Sequence, residues 1–284
     1  DRIIWGPWLI FLLLGTGCYL MLSLRFLPLK NLPAALRRVF LPESRKGTEG
    51  RGVSSFSSLT TELAATIGTG NIVGVATAMV LGGPGALFWM LLSGIIGLST
   101  KLVESTLCVR YRVQNQKGEP AGGPMYVLQN AFPQKTAGRI LAMLFAAFAV
   151  LASFGMGNMT QGNSIAEALS VTFQVKQTVT GIALSLLTIL VILGGIGTIA
   201  KVTEYLVPCM AVFYLFGTGM VIFTHFKNLP VGVVQILWGA FCPEAMTGGA
   251  AGTMLAVENG IAHSGRMAVR FGVSRGVFSN VAGM

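Results

Sequence analysis

Charge is scarce in this chain. Only 11% of its 284 residues are Asp, Glu, Lys or Arg, where soluble domains carry about 25%. Acid is scarcer still, with 10 Asp+Glu in total and Asp1 the only Asp. Against 53% apolar residues and a mean hydropathy of +0.70, the polar surface is too small to cover a water-soluble body of this size. An ordinary soluble enzyme and a disordered chain are both excluded. Cysteine is sparse as well: Cys18, Cys108, Cys209 and Cys242 lie singly, with no CxxC or Cys/His spacing, which argues against a zinc site or a disulfide framework. Catalytic inventory is also missing. There is no GxSxG, no His–Glu metal spacing and no paired carboxylates, so no enzymatic role is expected. His263 and Ser264 are sequence neighbours, and adjacency of that kind does not build a triad. No secretory signal peptide is read in the first apolar run, which is too long and lacks a small-residue cleavage site.

What is present is apolar sequence in lengths that suit a bilayer. A crossing helix needs about 20 apolar residues. The chain predicts spans at 5–25, 57–80, 84–108, 137–168, 178–199 and 203–224, a shorter apolar stretch at 230–241, a Gly-rich run at 247–252, and a further helical pattern from 253. The net charge of +10 is distributed unevenly. Arg25, Lys30, Arg37, Arg38, Arg45, Lys46 and Arg51 crowd the segment 25–51; Arg110, Arg112, Lys117, Lys135 and Arg139 crowd 109–139; Lys201 falls in the expected turn after 199. Six crossings put all of these on one side and leave Arg2, Lys176 and Lys227 on the other. The positive-inside rule then places the N-terminus outside and the basic loops in the cytoplasm of a multi-pass plasma-membrane protein. It explains the basic residues without nucleic acid; anionic lipid head groups are a further candidate contact for 25–51. Arg266, Arg270 and Arg275 do not follow the rule and crowd the last segment.

Polar residues inside spans need partners, because lipid supplies none. The densest group is Thr66-Ile67-Gly68-Thr69-Gly70-Asn71-Ile72-Val73-Gly74. Glycines and threonines at mid-membrane weaken a helix. A break there frees carbonyls for a cation and aims half-helix N–H groups at an anion such as a carboxylate. Gly70 and Gly74 also have the spacing of a small-residue packing face, although packing leaves Thr69-Gly70-Asn71 unexplained. The dinucleotide-loop spacing is not met. Glu62, one turn earlier, suits a cation, a proton or a structural pair. Lys101 and Glu104 are an i,i+3 pair with a structural role. Gln161 and Asn163 sit in an amide- and hydroxyl-rich stretch, 158–163, where they either face a substrate or bond a neighbouring helix. The segment 122–126 reads as a turn into a short amphipathic helix, and 154–158 as a kink.

These stretches resemble the alanine/glycine:cation symporter family. The likeness runs through Thr66–Ala76, Leu81–Met90, Lys101–Arg112, Gly122–Tyr126, Asn158–Leu169 and Val273–Met284, in order. It implies an all-α polytopic membrane protein with a leucine-transporter-like inverted-repeat fold. Residues 1–56 would be an extra N-terminal helix and a basic loop, 57–225 the first five-helix repeat with a broken first helix, and 226–284 a connection and the start of the second repeat. It further implies cation-coupled symport of a small neutral amino acid, alanine or glycine, with sodium (or a proton) as co-transported ion and no other cofactor. By the same resemblance Thr66, Gly68, Thr69 and Gly70 would receive the substrate carboxylate, with Gln161, Phe278 and Ser279 facing the substrate. Asn71 and Thr66 would hold sodium, and Glu62, Asn163, Lys101 and Glu104 would serve coupling or structure. Where the family reads S-N-E-A-G, this chain has Ser279-Asn280-Val281-Ala282-Gly283, an apolar side chain in place of a carboxylate. The family also continues past this point, so a truncated symporter without uptake of its own is expected. The alternative is a non-transporting membrane protein or helical partner subunit.

Overall fold

A computed structural model describes residues 7–39, 41, 54–114, 120–155, 158–241 and 265–280. The elements, in order, are α1 (Pro7–Ser23), α2 (Leu27–Val39), α3 (Ser55–Thr66), α4 (Thr69–Gly82), α5 (Gly85–Arg110), β1 (Val113–Gln114), β2 (Pro120–Ala121), α6 (Pro124–Ala131), α7 (Lys135–Gly155), α8 (Asn158–Phe173), α9 (Gln177–Leu193), α10 (Gly195–Thr224), α11 (Leu229–Phe241) and α12 (Gly265–Asn280). The stretches Ser55–Gly82, Gly85–Arg110, Lys135–Phe173 and Gly195–Thr224 are long and apolar enough to cross a membrane. At 17 residues each, α1 and α9 are about 25 Å long, the short end of what spans a hydrocarbon core.

Several expected boundaries move. The segment 25–51 is not only loop: 27–39 is helical. The segment 109–139 contains, besides the expected short helix α6, a two-stranded hairpin pairing Val113 with Ala121 and Gln114 with Pro120. The turn expected after 199 lies earlier. Gly194 caps α9 and Gly195 takes φ +70, a conformation open to glycine at little cost. Lys201 therefore sits inside α10, exposed, rather than in a turn. The stretch 230–241 is α11. The expected kink at 154–158 falls where α7 ends at Gly155 and α8 begins at Asn158. The Gly-rich run 247–252, the start of the pattern from 253, His263 and Val281 lie outside the described residues.

The chain divides into two compact units. One holds Asp1–Leu32, Asn71–Lys101 and Met210–Met284; the other holds Pro33–Gly70 and Leu102–Cys209. In the first, helices meet backbone to backbone at glycines. A side chain at Gly85 would overlap the Gly239 backbone, joining α5 to α11. Gly272 of α12 lies against Ala86 and Trp89 of α5, and one turn on Gly276 lies against Met90 and Ser93. Gly17 of α1 lies against Ile96 and Thr100, and below it the buried Ser99 hydroxyl donates to Met21 Sδ at 3.2 Å. Phe88 and Phe241 close the α5–α11 crossing, with ring centroids 4.9 Å apart. Between helices in lipid there is no hydrophobic drive, so close approach at small residues supplies the attraction.

In the second unit α3 is tied to α10 by hydroxyls, while Gly138 of α7 lies against the Leu128 carbonyl of α6. Ser57 Oγ of α3 donates to the Ala200 carbonyl of α10 at 3.1 Å, and the Thr61 and Thr203 hydroxyls share a hydrogen bond of 3.0 Å. Ser57, Thr60, Ala200 and Val207 are buried around this tie. Elsewhere in this unit α6 packs on α7, α7 on α8, and α8 on α9.

Candidate functional site

The apolar stretch Ser55–Gly82 is broken. Helix α3 starts on Ser54, whose hydroxyl accepts from Ser57 N–H at 3.0 Å, the usual way to satisfy a first-turn donor. It stops at Thr66. Ile67 leaves the helical region with φ −88 and ψ 79, and α4 begins at Thr69. Two residues, Ile67 and Gly68, thus separate two helix ends within one 28-residue stretch of apolar mean hydropathy. The break is shorter than the expected 68–71, and Asn71 lies inside α4 as its third residue. Two closely spaced helix ends have consequences. The last carbonyls of α3 and the first N–H groups of α4 lack intrahelical partners, so α3 offers partial negative charge and α4 partial positive charge at one depth.

Some of the α3 carbonyls are already used. Ile67 N–H donates to the Leu63 carbonyl at 2.6 Å. The Thr66 hydroxyl donates within its own helix, 3.2 Å from the carbonyls of both Glu62 and Leu63. That spends its proton and turns its oxygen into an acceptor, the form in which a hydroxyl ligates a cation. Gln161 of α8 comes to the break. A side chain built on Gly68 would sit 3.3 Å from Gln161 Nε2 and 3.8 Å from Oε1. The carboxamide therefore lies over the one residue at the break that has no side chain, with both donor and acceptor at hand. Asn163, two positions on, is exposed. Glu62 is exposed on α3. Thr69 and Gly70 form the first turn of α4, and their side-chain environments lie outside the described residues.

In the other unit, Asn71 is half-buried on α4, and Ser279 is half-buried near the end of α12. Phe278 is in α12, its side chain outside the described residues. Lys101, in the same unit as Asn71, and Glu104, in the same unit as Gln161, are half-buried on α5. The sequence reading missed Arg275: its guanidinium lies against the Gly74 backbone, so that any side chain at Gly74 would overlap it. The available signal was the pairing of an unexplained arginine with a glycine just beyond the break. It missed the α3–α10 tie as well, although 57–61 holds four hydroxyl residues in five. Among the described residues, no three His, Cys, Asp or Glu side chains come together; the oxygens that converge near the break are hydroxyl, amide and backbone oxygens.

Residues 1–284 match the sodium:alanine symporter family from end to end. The chain belongs to that family. It is 44% identical over 284 residues to a sodium/alanine symporter of Methanococcus maripaludis, covering 100% of this chain and 59% of the relative. It is 36% identical over 283 residues to a putative sodium/proton-dependent alanine carrier protein of Bacillus subtilis, covering 100% of this chain and 54% of that one. A probable sodium/glutamine symporter of Bacillus subtilis is 35% identical over 285 residues, at 100% and 55%. The chain thus spans well under two thirds of these relatives' lengths. Membership in a transporter family, together with several apolar helices, makes it a multi-pass membrane protein. A non-transporting partner subunit finds no support among these symporter and carrier likenesses.

Proposed function

We propose that this protein serves cation-coupled symport of a small neutral amino acid, alanine or glycine, with sodium as the driving ion. The observation that carries the reading is the break at Ile67–Gly68 with the Gln161 carboxamide over it. A zwitterion needs opposite charges met in a place that lipid cannot serve. The first N–H groups of α4, from Thr69, Gly70 and Asn71, suit the carboxylate. The open carbonyls of α3, the Thr66 hydroxyl and the Asn71 amide suit a sodium ion, which takes oxygen ligands readily. Gln161 orients the substrate beside Gly68, and the family resemblance implies that Phe278 and Ser279 of α12 face the substrate. Glu62, Asn163, Lys101 and Glu104 remain candidates for coupling or structural support.

The fold that fits is the leucine-transporter-like inverted repeat, with 1–56 as an extra helix and basic segment, 57–225 as the first repeat, and 226–284 as a connection and the start of the second. Alternating access then exposes the broken-helix site to each side in turn. The protein lies in the plasma membrane with its N-terminus outside and its basic segments in the cytoplasm, as the Lys/Arg distribution supports. The relatives named for alanine support the substrate class; a further relative is named a probable sodium/glutamine symporter.

The test is equilibrium binding of radiolabelled alanine to the reconstituted protein, with sodium exchanged for choline. Binding that requires sodium, falls at least about tenfold in Gln161→Ala and is abolished in Gly68→Val is expected. Binding that ignores sodium, or that survives both substitutions, overturns the assignment.

A further inference from the structure

We propose that α2 is an interfacial helix that lies along the membrane surface and binds anionic phospholipid through Lys30, Arg37 and Arg38. Its position follows from α1. That helix is about 25 Å long and apolar throughout, so its end at Ser23 reaches the edge of the hydrocarbon core. There the chain turns: α2 leaves at 77° to α1. The corner is a hydrogen-bonded closure. Phe26 N–H donates to the Met21 carbonyl at 3.0 Å and Arg25 N–H to the Leu22 carbonyl at 2.9 Å, the two bonds of a Schellman motif. Arg25 and Phe26 hold φ of 51 and 59 to make it. Two consecutive left-handed residues without glycine persist only where the surroundings impose them, so the direction of α2 is set by the corner.

The residues of α2 match that placement. At 3.6 residues per turn, Leu29, Leu32, Leu36 and Val39 share one face, and Lys30, Arg37 and Arg38 lie on the opposite one. No residue of α2 is buried, and Leu32 and Leu36 are 42% and 51% exposed. Among the described residues Leu29, Leu32 and Leu36 thus keep an exposed apolar face. A re-entrant course into the bilayer core would carry three cations into hydrocarbon, which is strongly disfavoured. At the interface the same helix satisfies both faces, with leucines in the acyl boundary and cations at the phosphates.

The test uses the full chain in nanodiscs, with the four native cysteines replaced by alanine and a nitroxide placed at Leu32→Cys, Leu36→Cys or Asn31→Cys. Labels at 32 and 36 are expected to collide with oxygen and not with an aqueous nickel reagent, and the label at 31 to show the reverse. If 32 and 36 meet nickel as readily as 31, or meet neither reagent because a protein covers them, the proposal fails. In mixed phosphatidylcholine and phosphatidylglycerol, the phosphatidylglycerol retained by the purified protein should fall at least about fivefold when Lys30, Arg37 and Arg38 are changed to glutamine. Lys30→Arg should retain it. Unchanged retention in the glutamine variant, with α2 helicity intact by spin-label mobility, overturns the lipid assignment. Neither readout involves transport, so the result stands or falls apart from the symport reading.

Discussion

The α5 crossings in one unit of this protein and the α3–α10 tie in the other are held by different means. In the first, α5 meets α11 and α12 where glycines let one backbone touch another, at Gly85 with Gly239, at Gly272 with Ala86 and at Gly276 with Met90. In the second, α3 is tied to α10 by side-chain hydroxyls, Ser57 to the Ala200 carbonyl and Thr61 to Thr203. Contacts of the first kind are steric and tolerate no added atom. Contacts of the second kind are directional, and each is worth little in a membrane, about 0.6 kcal/mol on average. The α5 crossings of the first unit thus cannot be adjusted, as is also true of Gly138 against the Leu128 carbonyl in the second, whereas the α3–α10 tie can be broken and remade cheaply.

That contrast predicts a ranked set of effects, each read as a shift in unfolding midpoint in mild detergent. Gly85→Ala should be the most damaging, because the new atom meets the Gly239 backbone and neither backbone can move aside; a cost of about 3 kcal/mol is expected. A neutral result would mean that α5 and α11 do not pack as described. Gly276→Ala should follow at about 2 kcal/mol, since Ser93 can turn away but the Met90 carbonyl cannot. Gly74→Ala should be much milder. Its obstacle is the far end of the Arg275 side chain, and alanine brings back about 1 kcal/mol of helix propensity. Pairing it with Arg275→Ala in a double-mutant cycle should give a coupling clearly different from zero; additivity would place Arg275 away from Gly74. Smallest should be Thr61→Val with Thr203→Val, at about 0.6 kcal/mol of coupling. Ser57→Ala should be similarly slight, because the Ala200 carbonyl keeps a second donor in the Thr203 hydroxyl at 3.0 Å. A loss there as large as at Gly85 would erase the distinction between the units.

Much of the fold was legible in advance. The break between α3 and α4 is legible because Gly68 and Gly70 lie among threonines in a span, and helix weakness is a local property. Its extent was overestimated, since Asn71 already belongs to α4. The boundary between α9 and α10 was misplaced for a related reason. Lys201 reads as a loop marker in the sequence, whereas the corner forms at Gly194–Gly195 and α10 carries the lysine on an exposed face. Helix α2 was passed over because its basic residues were counted for topology and its leucine spacing was not. Of the candidate site, Gln161 was brought to the break, while Asn163 and Glu62 are exposed. Amides two residues apart on one helix point in different directions, and only packing chooses between them.

By itself the sequence determined the solvent and the weak points. An 11% charge content and long apolar runs require a bilayer, and a glycine-rich stretch inside such a run requires an interruption, because both follow from composition and local helix energetics. The tertiary structure alone decided which distant groups meet. Thr61 and Thr203 share a hydrogen bond across 142 positions, Gln161 lies over Gly68, and Arg275 lies on Gly74. It also decided that α2 turns 77° away from α1. Such contacts depend on helix rotation and crossing distance, which are set when small residues let backbones approach and which no local propensity encodes.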